Sequence, residues 1–290
     1  MLRTTAIEDG FGVRVHGADL VGDGLAETVA ELENLLNEHQ LVVLENACLE
    51  QDEFIALGKA FGELENFSSI DYPGHTLQLT NVGADGKIRA ADDPIRKNIA
   101  GDALWHTDHT YMVRRARYSF LRAEVVPSSG GETQYANTRA AYDDLPESTK
   151  REIDDLVALH SIFYSRSLVG VDFGPEELRK RLHPVPQPLV FTNPVTGRKS
   201  LYIASHIAEI FGMPTKAARK LATDLIAHAT QPKYVYAHRW TPGDIAIWDD
   251  RATMHRRADY DDLNEVRRLH TMRVLEDSDL YDPDVTYEYT

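Results

Sequence analysis

Apolar residues recur along this chain with two periods, and the period in each stretch predicts the element it forms. From 24 to 40, Leu25, Val29, Leu32 and Leu36 fall on one side while Glu27, Glu31, Glu33 and Glu38 fall outside it, which predicts an amphipathic helix. The unbroken run Leu41-Val42-Val43-Leu44 predicts a strand buried on both faces, and 51–61 a second helix, with Phe54, Leu57 and Phe61 on one side and Gly62 as its stop. A period of two marks 77–82 and 234–240, where Tyr234, Tyr236, His238 and Trp240 alternate with Val235, Ala237 and Arg239. An opening strand and turn are predicted at 7–20, and further strands at 118–126, 245–248 and 267–275. Asn193-Pro194-Val195-Thr196-Gly197 joins 189–192 to 199–204 as a hairpin, and Thr241-Pro242-Gly243-Asp244 turns the chain into 245–248. The remaining helices are 140–159, broken at Pro146, and 214–230, with Pro214 in its first turn; 165–188 reads as irregular apart from a short charged helix at 176–181. The polar segment 90–102, with Pro94 and Gly101, reads as a mobile loop suited to an active-site lid. Many short strands with peripheral helices, and no repeat or linker, predict one mainly β domain over 1–290 built as a jelly-roll barrel.

Charge narrows the function. The 290 residues carry a formal net charge of -15, which disfavours nucleic acid and anionic membranes as partners while leaving room for a local basic pocket. Residues 1–20 have no apolar signal-peptide core and no run is long enough to span a bilayer, so a cytoplasmic protein is expected. The single cysteine, Cys48, has no partner for an internal disulfide, in keeping with a reducing compartment.

The chemistry gathers at Trp105-His106-Thr107-Asp108-His109. On an extended segment His106 and Asp108 face the same way, an imidazole beside a carboxylate. A third ligand is expected from His255, which follows the strand-like run 245–248. Two histidines and one carboxylate with open positions is the ligand set of non-heme Fe(II) oxygenases. His109 is the rival ligand, but on a strand it faces away from Asp108, where it either lines the substrate pocket or is solvated. The final strand carries Arg267, Arg268 and Arg273, which either clamp a carboxylate through paired hydrogen bonds or protect a basic edge strand. Thr133, after the Gly130-Gly131 turn, can add a hydroxyl to the same carboxylate.

In order along the chain, Trp105-His106-Thr107-Asp108, Pro127-Ser128-Ser129-Gly130-Gly131-Glu132-Thr133, Arg139-Ala140-Ala141-Tyr142, Gly243-Asp244, Trp248-Asp249-Asp250-Arg251, His255 and the closing arginines resemble the taurine dioxygenase and 2,4-dichlorophenoxyacetate dioxygenase family. The resemblance runs from about Leu41 to Asp277, and Asn81-Val82, Asp85-Gly86-Lys87 and Ala229-Thr230-Gln231 lean it toward the phenoxyacetate branch. It implies a double-stranded β-helix and an Fe(II)- and 2-oxoglutarate-dependent dioxygenase that uses O2, hydroxylates a small molecule and releases succinate and CO2. Where the attacked carbon bears an ether oxygen, the ether would be cleaved; sulfonates and biosynthetic intermediates remain open as substrates. By the same resemblance His106, Asp108 and His255 hold iron, Trp248 packs near it, and Thr133 with Arg267 holds the distal carboxylate of 2-oxoglutarate, with Arg268 as the neighbouring alternative. Asp108 as a third ligand argues against a halogenase. The family's second arginine, four residues after the first, is Thr271 here, and Arg273 stands two residues further on as its potential replacement toward substrate. The 70–72 loop with His75, and the segment 90–99, match regions that contact substrate. The expected partner is a small molecule, with assembly into a homo-oligomer left open. Two other classes stay in view, a barrel binding protein with a structural or lost metal site and a metal-dependent hydrolase or isomerase; stimulation by 2-oxoglutarate separates both from the oxygenase.

Overall fold

The fold comes from a computed structural model that describes residues 2–7, 11–70, 72, 74–172, 174 and 176–277. Its largest sheet has seven strands in the order Arg3–Ala6, Val13–His16, Leu41–Leu44, Ile245–Asp249, Ala116–Val125, Arg268–Leu275 and Leu77–Thr80. All neighbours run antiparallel except Val13–His16 beside Leu41–Leu44. The apolar run at 41–44 is central because both its faces are covered. Val42 and Leu44 pack under the helices Leu25–His39 and Gln51–Phe61, whereas Leu41 and Val43 face a second layer with Leu121, Ala246, Trp248 and Leu269. That layer is closed by Tyr135, from a three-stranded antiparallel sheet in the order Val235–His238, Thr133–Asn137 and Thr253–Arg257. The two sheets thus face one another across a shared interior.

Helix ends follow local chemistry. Gln51–Phe61 begins with a reciprocal capping box between Glu50 and Glu53 and ends at Gly62. Leu25–His39 ends where Gln40 turns left-handed and returns its N–H to the Leu36 carbonyl.

Several expectations are corrected. The 90–102 segment is not a loop: Asp93 accepts from the Ile95 and Arg96 amides and starts a helix at Pro94–Ile99, which continues as a 3-10 turn over Ala100–Ala103. The 140–159 stretch divides into helices Thr138–Asp143 and Glu147–Ile153 and then a strand, Val157–His160, which pairs with Ile207–Ile210 and Val185–Pro188. The irregular 165–188 region holds that last strand, the end of helix Ile162–Leu168, and the expected helix Glu176–Arg181. In the opening 7–20 stretch only Val13–His16 is a strand, paired with Arg3–Ala6 before it; 8–10 lies outside the described residues, as does 71 of the 70–72 loop. Among the described residues no helix is long and apolar enough to cross a membrane.

Candidate metal centre and co-substrate pocket

His106 and His255 meet because their backbones exchange both hydrogen bonds, His106 N–H to the His255 carbonyl at 3.0 Å and the reverse at 2.7 Å. This bridge is one residue long. The chain then turns, so Asp108 does not share a strand face with His106 as its spacing had suggested. Instead the Thr107 hydroxyl is anchored between the Ile203 and Thr253 carbonyls at 3.1 and 3.2 Å, and the Asp108 amide approaches Asp250 Oδ1 at 3.3 Å. The result is the convergence the sequence suggested: ligand atoms of His106, Asp108 and His255 lie within 4.8 Å of one another. His106 Nε2 stands 3.8 Å from Asp108 Oδ1, and His255 Nε2 stands 4.0 Å from Asp108 Oδ2. These separations exceed hydrogen-bond length, so the donors face a common point without bonding each other.

The donor chemistry fits a divalent metal. His106 Nδ1 donates to the Leu104 carbonyl at 2.7 Å, which fixes the tautomer with a lone pair on Nε2. Burial, helped by His106, pulls the His255 imidazole down to about 3, so it is neutral and able to donate. Burial alone would raise Asp108, but the charges of Arg273, His255 and His106 outweigh it and keep the carboxyl strongly acidic. Burial and the Asp108 charge push Asp250 up; its carboxyl receives Trp248 Nε1–H at 3.0 Å, and the Ser119 hydroxyl lies between the two carboxylates, 2.6 Å from Asp250 and 3.1 Å from Asp108. The Trp248 ring rests 4.7 Å from that of His255.

Arg273 extends the site along a line of alternating charge. Its Nε is 3.0 Å from Asp108 Oδ2 and its Nη1 is 3.0 Å from Glu65 Oε2. The first of these is an ion pair by distance, with the N–H not aimed at the oxygen. Glu65 in turn meets His109 Nε2 at 2.7 Å. Burial would raise Glu65, yet His109 and Arg273 hold it down to about 2. His109, at a left-handed φ of 61°, therefore lines the pocket but faces Glu65 and the Arg114 carbonyl rather than the metal donors.

The final strand separates its adjacent arginines. Arg267 is 5% exposed; its Nε donates to the Gly131 carbonyl at 2.9 Å and its Nη2 lies 3.4 Å from Thr133 Oγ1. Arg268 points the other way, to Glu124 at 3.0 Å. Thr133 is also held by Trp240 Nε1–H at 3.0 Å. Gly131 permits this arrangement: its φ is 71°, and a Cβ there would come within 2.8 Å of Pro127 and 3.3 Å of Arg267 Cδ.

The three metal donors, Glu65, His109, Thr133, Trp248, Arg267 and Arg273 line one cavity of about 630 Å³. The 94–103 segment walls it through Ile95, Ile99 and Asp102, and Arg166 pins that wall by donating to Asn98 at 3.0 Å and Asp102 at 3.1 Å. Of the 70–72 loop Tyr72 reaches the cavity, while His75 turns to the Glu65 carbonyl. Sequence reasoning passed over three contributors. Glu65 and Arg166 had no motif to reveal them, but Arg257, two residues past His255 on a strand, shared its face by period alone.

Residues 4–275 match the model of the taurine catabolism dioxygenase TauD, TfdA family. The chain is 37% identical over 276 residues to the alpha-ketoglutarate-dependent 2,4-dichlorophenoxyacetate dioxygenase of Cupriavidus pinatubonensis, covering 92% of this chain and 96% of that protein. It is 38% identical over 248 residues to the (S)-phenoxypropionate/alpha-ketoglutarate-dioxygenase of Sphingobium herbicidovorans, covering 83% of each. Among solved structures, AAD-2 in complex with Mn(II) and N-oxalylglycine superposes with a TM-score of 0.90 at 34% identity, covering 95% of this chain and 98% of that one.

Proposed function

This chain belongs to the taurine catabolism dioxygenase TauD, TfdA family, and from that membership we propose the division of labour in its site: His106, Asp108 and His255 as the protein ligands of Fe(II), with Thr133 and Arg267 holding the distal carboxylate of 2-oxoglutarate. The enzyme is an Fe(II)- and 2-oxoglutarate-dependent dioxygenase. Iron, 2-oxoglutarate and O2 together supply the oxidation that replaces a substrate C–H by C–OH, leaving succinate and CO2. The observation that carries the assignment is the convergence of the two imidazoles and the carboxylate within 4.8 Å at one wall of the cavity.

The protein's own part is positional. His106 and His255 present imidazole nitrogens, and Arg273 and Ser119 hold Asp108 as an acceptor rather than a proton donor. Arg267, buried with no carboxylate of the protein beside it among the described residues, meets the charged end of the co-substrate. The 94–103 wall and Trp248 limit water at the reacting carbon. The two facing sheets form a double-stranded β-helix, and 1–290 forms one catalytic domain.

The prime substrate is a small organic acid of aryloxyalkanoate type, the class named in the similar enzymes, with ether cleavage when the hydroxylated carbon bears the ether oxygen. His109 and Arg273 border its pocket. A second reading is a sulfonate or biosynthetic intermediate; Thr271 in place of the expected second arginine, with Arg273 already engaged by Glu65 and Asp108, favours within it an intermediate that carries no anion at that position. The protein acts in the cytoplasm on small molecules, without nucleic acid or membrane partners, and homo-oligomerisation is compatible with this role. Succinate release, measured with a panel of aryloxyacetates, aryloxypropionates and sulfonates, tests the reading. Substrate-dependent succinate that disappears in His255→Ala supports it, and succinate formation unaffected by that change contradicts the ligand set.

A further inference from the structure

We propose that Arg257 is a second cation for the distal carboxylate of 2-oxoglutarate, so that the co-substrate is gripped by two arginines rather than one. The inference rests on the co-substrate reading above and adds a residue to it.

The strand Thr253–Arg257 pairs His255 with Tyr135 and Arg257 with Thr133 across the same ladder. Alternation puts His255 and Arg257 on one face. Arg256 goes to the other, with its Nε on Gln134 at 2.6 Å and its guanidinium 4.8 Å above the Trp105 ring. Arg257 therefore stands one strand repeat, about 7 Å, from a metal donor, directly opposite the hydroxyl that Arg267 also approaches. An extended dicarboxylate anchored beside His255 is long enough to bring its far end between the two guanidiniums.

The local charge lacks a counterpart. Arg257 donates through Nη1 to the Ala258 carbonyl at 3.3 Å and lies 5.3 Å from the Tyr260 ring centroid, while its Nε is buried with no hydrogen-bond partner. Neither Arg257 nor Arg267 has a carboxylate within ion-pair distance among the described residues, whereas the neighbouring guanidiniums do: Arg166 has Asp102 and Arg273 has Glu65. Burial, reinforced by the Arg257 charge, lowers Arg267 to about 10, the direction expected of two like charges sharing one end of a cavity. Two uncompensated cations and an orphaned buried donor at the same place call for an anion there.

The test titrates the Fe(II) protein without oxygen, following the visible charge-transfer band as 2-oxoglutarate or 2-oxovalerate is added. The second ligand keeps the chelating oxoacid and carries a methyl group in place of the distal carboxylate. In Arg257→Gln the half-saturating concentration of 2-oxoglutarate should rise about 10- to 100-fold, while that of 2-oxovalerate stays within about twofold. Unchanged 2-oxovalerate binding also reports an intact fold, and partial recovery of 2-oxoglutarate affinity in Arg257→Lys attributes the loss to charge. An unchanged 2-oxoglutarate midpoint in Arg257→Gln overturns the proposal, and if KM for the prime substrate alone rises, Arg257 serves that substrate instead. If neither oxoacid gives a band with the unaltered protein, the co-substrate reading itself fails and the clamp goes with it.

Discussion

As a proposed metal ligand Asp108 carries two demands, to donate to the ion and to stay ionised while buried, and Arg273 answers the second. Because the imidazoles and this carboxylate converge whereas His109 turns to Glu65, single substitutions should separate their roles. His106→Ala should lose most Fe(II) binding in equilibrium dialysis, and His109→Ala should keep it. The same geometry gives a pH dependence. Glu65 titrates at about 2 in the folded protein against an ordinary 4.5, so its ionisation contributes stability above the ordinary value and loses it as pH falls toward 2. The contribution is about 3 kcal/mol. In metal-free protein, melting curves across this acid range should therefore steepen less with pH in Glu65→Gln than in the parent; identical slopes would refute the assignment. At this scale the chain was readable where residue type is itself the signal, as in two histidines and an aspartate. It was unreadable where a common residue such as Glu65 gains its role from partners more than forty positions away.

Among the elements, Leu41–Leu44 and Ile245–Asp249 were legible because burial on both faces writes an unbroken apolar run. Helix Pro94–Ile99 was misread through its polar composition, although Asp93 before Pro94 is a start signal in its own right. The strand Val157–His160 was hidden behind helical periodicity because its pairing partners lie elsewhere in the sequence. The His-x-Asp segment gave the right grouping for an inadequate reason, since a turn held by Thr107 and Asp250 rather than a strand face aims Asp108. Two element-scale outcomes follow. Gly131→Ala puts a Cβ into a left-handed position against Pro127 and Arg267, so the half-saturating 2-oxoglutarate concentration should rise several-fold and stability fall by about 1–2 kcal/mol. Arg166→Ala frees the 94–103 wall, so amide hydrogen exchange there should accelerate with iron affinity unchanged.

For the whole molecule, the arrangement of two facing sheets explains why the site draws on residues from 65 to 273. One strand of the small sheet brings His255 and Arg257, its neighbour brings Thr133, and the large sheet brings Arg273. A sheet-built core was legible from the many short alternating runs, although helices take as large a share of the described chain as strands; strand order was not legible, because register across a sheet depends on pairings that no local period encodes. The helices Leu25–His39 and Gln51–Phe61 back the large sheet, so Leu32→Ala should cost about 2–5 kcal/mol in chemical denaturation and leave metal binding intact under folding conditions. The central claim is that three protein donors present Fe(II) with room for a chelating oxoacid. Its most direct test is the visible spectrum of the Fe(II) protein before and after 2-oxoglutarate without oxygen, in the parent, Asp108→Ala and Arg267→Ala. The account predicts a charge-transfer band in the parent, none in Asp108→Ala, and in Arg267→Ala a band that needs at least about tenfold more 2-oxoglutarate. Iron bound by the parent with no band on adding 2-oxoglutarate would contradict it.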